Sequence, residues 1–152
     1  MKLSTKGRYG LRAMIDLALN CDGTEAVSIQ SISERQHISE SYLEQLVRKL
    51  RKADLVKSVR GAGGGYQLAR EAEQISVGDI LRALEGSIEA VSCGTEEDPS
   101  CDMADLCVTR IVWERVNRAI EDAVDTISLD QLVEESRKKQ NLGKIDTKQC
   151  TN

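Results

Sequence analysis

Three cysteines, Cys93, Cys101 and Cys107, fall in one short acidic segment, CGTEEDPSCDMADLC, with seven residues between the first two and five between the last two. Thiolates are soft donors that hold iron–sulfur clusters and zinc, and two of them can also close a redox-sensitive disulfide. The spacing is not that of a ferredoxin, and a structural zinc site wants four ligands. On the residues alone, cluster, zinc and redox switch all stay open. The chain has five cysteines, an odd number that fits a disulfide framework poorly. In a reducing compartment such clustered thiols read first as metal-binding or redox-active. Little else suggests catalysis. There is a single histidine, His37, and the GAGGG run at 61–65 lacks the Lys and Ser/Thr of a phosphate-cradling loop. An enzyme is not expected.

A second group of residues could read nucleic acid. The segment ESYLEQLVRKLRKADLV (40–56) carries Leu43, Leu46, Val47 and Leu50 at helical spacing. The opposite faces present Ser41, Tyr42, Glu44, Gln45, Arg48, Lys49, Arg51 and Lys52. A helix of this kind fits the major groove of B-DNA, where side chains near its N-terminus reach base edges. Ser39, Ser41, Tyr42 and Gln45 can donate or accept hydrogen bonds there, while Arg48, Lys49, Arg51 and Lys52 can neutralise phosphates. Glu44 is the odd member. It can accept a hydrogen bond from cytosine N4, or more plainly pair with Arg48 one turn on. Each cation alone would more often be a solvated helix face; the order and lengths of the surrounding elements make the reading specific.

Those elements begin with TKGRYGLRAMIDLALN (5–20), a predicted helix with Gly10, Ala13, Met14, Leu17 and Ala18 on one stripe. SIQSISERQ (28–36) reads as a short helix, capped by Ser28 or by a Ser31–Glu34 capping box. VKSVR (56–60) and YQLAR (66–70) read as strands joined by the glycine loop, with Arg60 at the tip, placed for a minor groove. SVGDILRALEG (76–86) is a helix with Ser76 as its cap. After the cysteines, Val112, Val116, Ala119 and Ala123, with Val108, Ile111, Ile120 and Val124 beside them, form an apolar stripe wider than the remaining chain can cover. An identical helix of a second subunit is the expected cover, the alternative being the chain's own N-terminal part. From residue 136 the sequence is polar without periodicity and reads as a flexible tail.

The fold class expected is therefore mostly α with a small β-hairpin wing: a winged helix-turn-helix DNA-binding domain at 1–86, a cysteine-containing loop at 87–107, a dimerisation helix region at 108–135 and a tail at 136–152. Charge supports the division. Residues 1–70 carry 12 Lys/Arg against 7 Asp/Glu, while 71–152 carry 9 against 18, so the +5 and −9 halves give the chain its −4. A positive first half suits a polyanion. There is no apolar run of about 20 residues and residues 1–20 are amphipathic, so neither a membrane span nor a secretory signal is expected, and the chain is placed in the cytoplasm.

The stretches MKLSTKGRYGLRAMIDLAL, ISERQHISESYLEQLVRKLRKADLVKSVRGAGGGYQLAR and ISVGDILRALEG, with the three-cysteine loop, resemble the IscR, NsrR and CymR group of winged-helix transcription regulators, most of all its IscR members. The likeness spans residues 1–133. It implies a homodimer on a double-stranded operator, a repressor, and an iron–sulfur cluster on Cys93, Cys101 and Cys107, 2Fe–2S ahead of 4Fe–4S. It further implies control of iron–sulfur biogenesis genes, with nitric oxide sensing or a cluster-free, CymR-like control of cysteine metabolism as alternatives. The chain departs from the pattern at the fourth ligand. IscR proteins have a His three residues after the third cysteine, where this chain has Arg110. NsrR-type proteins can use an acid of the partner's first helix, where this chain has Arg8. Glu96, Glu97, Asp98, Asp102, Asp105, Cys21, Cys150 or a small molecule are what is left, and a carboxylate would make the cluster labile.

Overall fold

A computed structural model describes residues 3–21, 23–93, 101, 103 and 106–149 of the chain, the side chains as far as 143. Serines open the first helices. Ser4, Ser28, Ser39 and Ser76 precede α1 (Thr5–Asn20), α2 (Ile29–Gln36), α3 (Glu40–Lys52) and α4 (Val77–Glu85), and each hydroxyl accepts a backbone N–H of the first turn. Each cap satisfies a donor that a helix start leaves free, a contribution of about 1 kcal/mol. At α2 it is Ser28, not Ser31, that caps. At α4 the cap is reciprocal, since the Asp79 carboxylate also accepts the Ser76 N–H at 3.0 Å.

The helical stripes expected of α1, α3 and α4 form the core. Met14, Ile32, Leu43, Leu46, Leu50 and Ile80 are each at most 1% exposed. α1 packs against α4 through glycines that it turns toward it. A Cβ on Gly7 would stand 3.1 Å from Leu81 Cδ2, and one on Gly10 would run into Leu84. His37 ends α2 in the left-handed region, at φ 54°, and is exposed, so it serves the turn between α2 and α3.

β1 (Val56–Val59) and β2 (Gly65–Leu68) pair antiparallel, with Val56 opposite Leu68 and Val59 opposite Gly65. The turn between them needs Gly61, whose φ is +114°, and closes through the Gly64 N–H to the Gly61 carbonyl at 3.0 Å. The wing is tied to the body by Val27 and Tyr66, which exchange backbone hydrogen bonds of 2.9 and 2.8 Å. Arg60, Ala69 and Arg70, expected at strand ends, lie just outside the strands.

The region expected as one dimerisation helix is two helices, α5 (Arg110–Asp125) and α6 (Leu129–Gln149), joined at Thr126. α6 begins inside the core: Leu129 and Val133 are 0% and 3% exposed and pack with the residues of α1–α4. It then runs on to Gln149, so the stretch from 136, read as a flexible tail for want of periodicity, is helical to that point. Its Glu, Lys, Arg and Gln are good helix formers that need no apolar stripe once the packed first turns have nucleated the helix. That is why periodicity missed it.

The apolar stripe of α5 is divided. Ile120 and Val124 pack on Val77, Leu81 and Ile88. Val108, Ile111 and Val112 are 78%, 67% and 53% exposed. Near its end, Asp125 forms a two-pronged pair with Arg82 of α4, both contacts 2.7 Å, over a glycine, Gly78, where any Cβ would collide with the carboxylate. The hydrogen bond to Arg82 holds the Asp125 carboxyl below its ordinary value, against the smaller effect of burial. Among the described residues no helix is long and apolar enough to cross a membrane.

Candidate nucleic-acid interface and cysteine loop

α3 buries Leu43, Leu46, Val47 and Leu50 and leaves Ser41, Glu44, Gln45, Arg48, Arg51 and Lys52 exposed along its outer side. Arg60 is exposed at the wing tip. Glu44, Arg48 and Arg51 line a cleft together with Val47 and Tyr66 of the wing. Helix and wing thus present one continuous polar, mainly basic surface. Among the described residues Glu44 and Arg48 form no ion pair, so the plainer account of Glu44 is not realised. Its carboxylate stands toward solvent on the face that would meet DNA.

Ser39 and Tyr42 sit differently from the other expected readers. Ser39 Oγ accepts the Tyr42 N–H at 3.3 Å as the cap of α3. The Tyr42 hydroxyl lies 3.1 Å from Thr5 Oγ1, and its ring meets Tyr9 edge to face, centroids 6.0 Å apart. Arg12 sits 5.5 Å from the Tyr9 ring centroid and donates to the Gln36 carbonyl at 2.6 Å. Below this lies Asp16, 3% exposed, which holds Arg35 in a two-pronged pair and accepts from Gln36 Nε2 at 2.8 Å. These ties join α1, α2 and α3 into one packed unit. Lys49 donates to the Leu84 carbonyl at 3.1 Å, so it braces α3 against α4.

Sequence reasoning passed over Thr5, Tyr9, Arg12 and Tyr66, because each acts through a contact between segments far apart in the chain. The glycine spacing of KGRYG (6–10) is the one local signal that could have marked the close α1–α4 approach.

The chain leaves α4 at Gly86 and is pinned to α5 by Asn117, whose Nδ2 donates to the Val91 carbonyl at 2.8 Å and whose Oδ1 accepts the Ala90 N–H at 2.9 Å. Cys93 and Cys101 are exposed and Cys107 is half-buried, all as free thiols. Cys107 Sγ lies 3.0 Å from Thr109 Oγ1. That hydrogen bond, with the N–H groups of Arg110 and Thr109, holds the Cys107 thiol below its usual value. This favours the thiolate, the form that binds metal. Three unpaired thiols on one loop, one of them acidified, fit an iron–sulfur cluster in the chemistry of the donor set. Among the described residues no three His, Cys, Asp or Glu side chains are gathered as a metal site. Of the remaining ligand candidates, Cys21 is half-buried at the end of α1 beside the Glu25 carbonyl, and Glu96, Glu97, Asp98, Asp102, Asp105 and Cys150 lie outside the described residues. Arg8 is exposed. Arg110 pairs with Glu114 at 2.7 Å along α5.

The chain matches the family model of Rrf2, an iron-dependent transcriptional regulator, over residues 3–135. It is 46% identical over 133 residues to the HTH-type transcriptional regulator IscR of Pectobacterium atrosepticum, covering 88% of this chain and 79% of that one. Two solved structures share its fold. The IscR of T. potens superposes with a TM-score of 0.72 at 48% identity, over 92% of this chain and 91% of that one. CymR, the global cysteine regulator of B. subtilis, superposes with a TM-score of 0.72 at 44% identity, over 89% of this chain and 98% of that one. The basic helix-and-wing surface and the mostly helical scaffold thus have the same explanation: the chain belongs to the Rrf2 family of DNA-binding transcriptional regulators.

Proposed function

We propose that this chain is a homodimeric, cytoplasmic repressor that senses iron–sulfur status and controls genes of iron–sulfur cluster biogenesis. The observation that carries the reading is the loop itself. Cys93, Cys101 and Cys107 are free, and Cys107 is both acidified and placed one turn before α5. These three residues would hold the cluster, with a 2Fe–2S form favoured and the fourth position left to an acid of the loop or a small molecule. Bound there, a cluster would supply a charge and an order that depend on iron and oxidants. The bare side of α5 at Val108, Ile111 and Val112 supports a second copy as its cover, since isolated apolar patches of this kind mark interfaces.

On the DNA, Ser41, Glu44 and Gln45 would face base edges, Arg48, Arg51 and Lys52 phosphates, and Arg60 a minor groove. Ser39 and Tyr42 would position the packed unit of α1–α3, with their remaining polar capacity turned to the backbone. Glu44 would make the cluster-free protein selective between operator classes, because a carboxylate gains a partner only where an exocyclic amine, such as cytosine N4, stands opposite it.

A second reading has its own support. Arg110, engaged with Glu114 where IscR proteins have a His, and the equal likeness to a cysteine regulator favour a cluster-free repressor of cysteine metabolism. Nitric oxide sensing would use the same loop and cluster. Two variants separate the readings by operator binding. Cys107→Ala should lose the cluster and keep only a subset of operators, and Glu44→Ala should relax discrimination between operator classes with cluster content unchanged. If Cys107→Ala binds every operator as the cluster-loaded protein does, the loop is not the switch and the cysteine-metabolism reading takes over.

A further inference from the structure

The segment from Glu85 to Cys93 is a strap between the packed unit of α1–α3 and α5. Its far end is fastened by Asn117 at Ala90 and Val91. Its near end is fastened by one oxygen. Glu85 Oε1 accepts the Ser4 hydroxyl at 2.6 Å, the Gly7 N–H at 2.9 Å and the Ser4 N–H at 3.0 Å. These donors belong to the first turn of α1 and the residue before it, where a helix has N–H groups without partners and favours a negative charge. α1 already has its own cap, since Ser4 Oγ takes the Lys6 N–H at 3.1 Å. Gly7 makes room for the carboxylate: a Cβ there would stand 2.9 Å from Oε1.

The same turn of α1 touches the recognition helix. Thr5 Oγ1 meets the Tyr42 hydroxyl at 3.1 Å, and Tyr9 meets the Tyr42 ring. The second tie from the strap to α3 is the Lys49 bond to the Leu84 carbonyl, one residue before Glu85. The last two residues of α4 therefore hold α1 and α3 together at the point where the chain departs for the cysteines.

We propose that Glu85 is a positioning residue that couples the cysteine strap to the recognition helix through Ser4, Gly7 and Tyr42. A shift of the strap moves the carboxylate, the carboxylate moves the first turn of α1, and Thr5 and Tyr9 carry the change to the N-terminal end of α3, where bases are met. The proposal rests on the reading of the loop as the sensor.

The test is a double-mutant cycle on full-length protein, reconstituted anaerobically with iron and sulfide. The probe is a DNA fragment selected from a random library by the reconstituted parent and counter-selected against the same protein after chelation, and binding is read by fluorescence anisotropy. Cys107→Ala in the parent should change affinity by about five-fold or more, the lower end of ordinary coupling between sites. In Glu85→Ala the same loop change should shift affinity by less than about two-fold. Glu85→Asp, which keeps the charge but withdraws it by one methylene, should behave like Glu85→Ala and decides the matter if the Ala variant does not fold. Glu85→Gln, which keeps an acceptor at the same reach, should restore the response. As a readout independent of DNA, amide exchange at residues 4–8 should respond to Cys107→Ala in the parent and not in Glu85→Asp. A full response to Cys107→Ala in the Asp variant would make Glu85 a helix cap and nothing more, leaving the sensor reading intact. No response to Cys107→Ala in the parent would refute the sensor reading, and the coupling with it.

Discussion

The salt dependence of DNA binding can be worked out from the surface of one protomer. Arg48, Arg51 and Lys52 on α3 and Arg60 on the wing are exposed, whereas Lys49 is engaged with the Leu84 carbonyl and is left out. With Arg60 displacing counterions from a groove as the α3 cations would from phosphates, a dimer would offer about eight such contacts, and binding should fall with the logarithm of salt at a slope of about −7. Raising monovalent salt from about 50 to 200 mM should weaken operator binding about 10⁴-fold. Arg51→Ala removes one contact per protomer and should flatten the slope by about 2 while lowering affinity alike on all sequences. Arg60→Ala should cost about 1–3 kcal/mol if it enters a groove. Fluorescence anisotropy against one labelled duplex, titrated at five salt concentrations for parent and variants, reads all of these. A slope shallower than about −2, or one that Arg51→Ala leaves unchanged, would show that the α3 and wing cations do not lie on the phosphates.

The packing leads to further outcomes. Arg35→Met leaves Asp16, 3% exposed, without its cation; with Arg35 itself 38% exposed and the Gln36 bond retained, the loss should be near the lower end for breaking such a pair, about 3 kcal/mol or about 6–12 °C in Tm. Asp16→Asn should cost less in the same thermal melt, because the freed guanidinium can turn to water. Ile111→Glu, on a residue 67% exposed in the single chain, should shift the protein to monomers in sedimentation velocity with little loss of helix. Acid should act through two carboxyls held below their ordinary values. Asp125 is lowered chiefly by its hydrogen bond to Arg82. At Glu85 burial alone would raise the value, but the bonds from Ser4 and Gly7 and the nearby Lys6 outweigh it. A depressed folded value means stability that is present above the unfolded value, about 4, and is lost as pH falls through the lower folded value. Tm should therefore hold from pH 7 to about 5 and decline below about 4, and Asp125→Asn should flatten that decline.

The parts legible in the sequence were those with a local period or a local cap. Leu43, Leu46, Val47 and Leu50 mark α3 because a helix returns to the same face every three or four residues, and all four are buried. Ser28 and Ser76 were legible as caps and act as such, whereas Ser39, read as a DNA contact, also caps α3, and the cap at Ser4 was not foreseen. Val108, Ile111 and Val112 stood out as apolar surface in excess of what the chain could cover, and they are bare in the protomer. The remainder depended on contacts between distant segments. Tyr42, read as a contact to bases, also meets Thr5 and Tyr9, a pairing no local pattern announces. Glu85 and Asn117 carry no motif, and their partners lie 81 and 26 residues away. The helix beyond residue 136 had no apolar stripe to reveal it, because its anchor is the buried pair Leu129 and Val133 at its start.

The most direct test of the central claim is anaerobic reconstitution with iron and sulfide, followed by operator titration on the same sample before and after chelation. The account predicts a coloured protein with a visible absorption band that requires Cys93, Cys101 and Cys107, and an operator affinity that changes when the chelator removes the band. A protein that stays colourless after reconstitution and binds the operator with the same affinity throughout would contradict it.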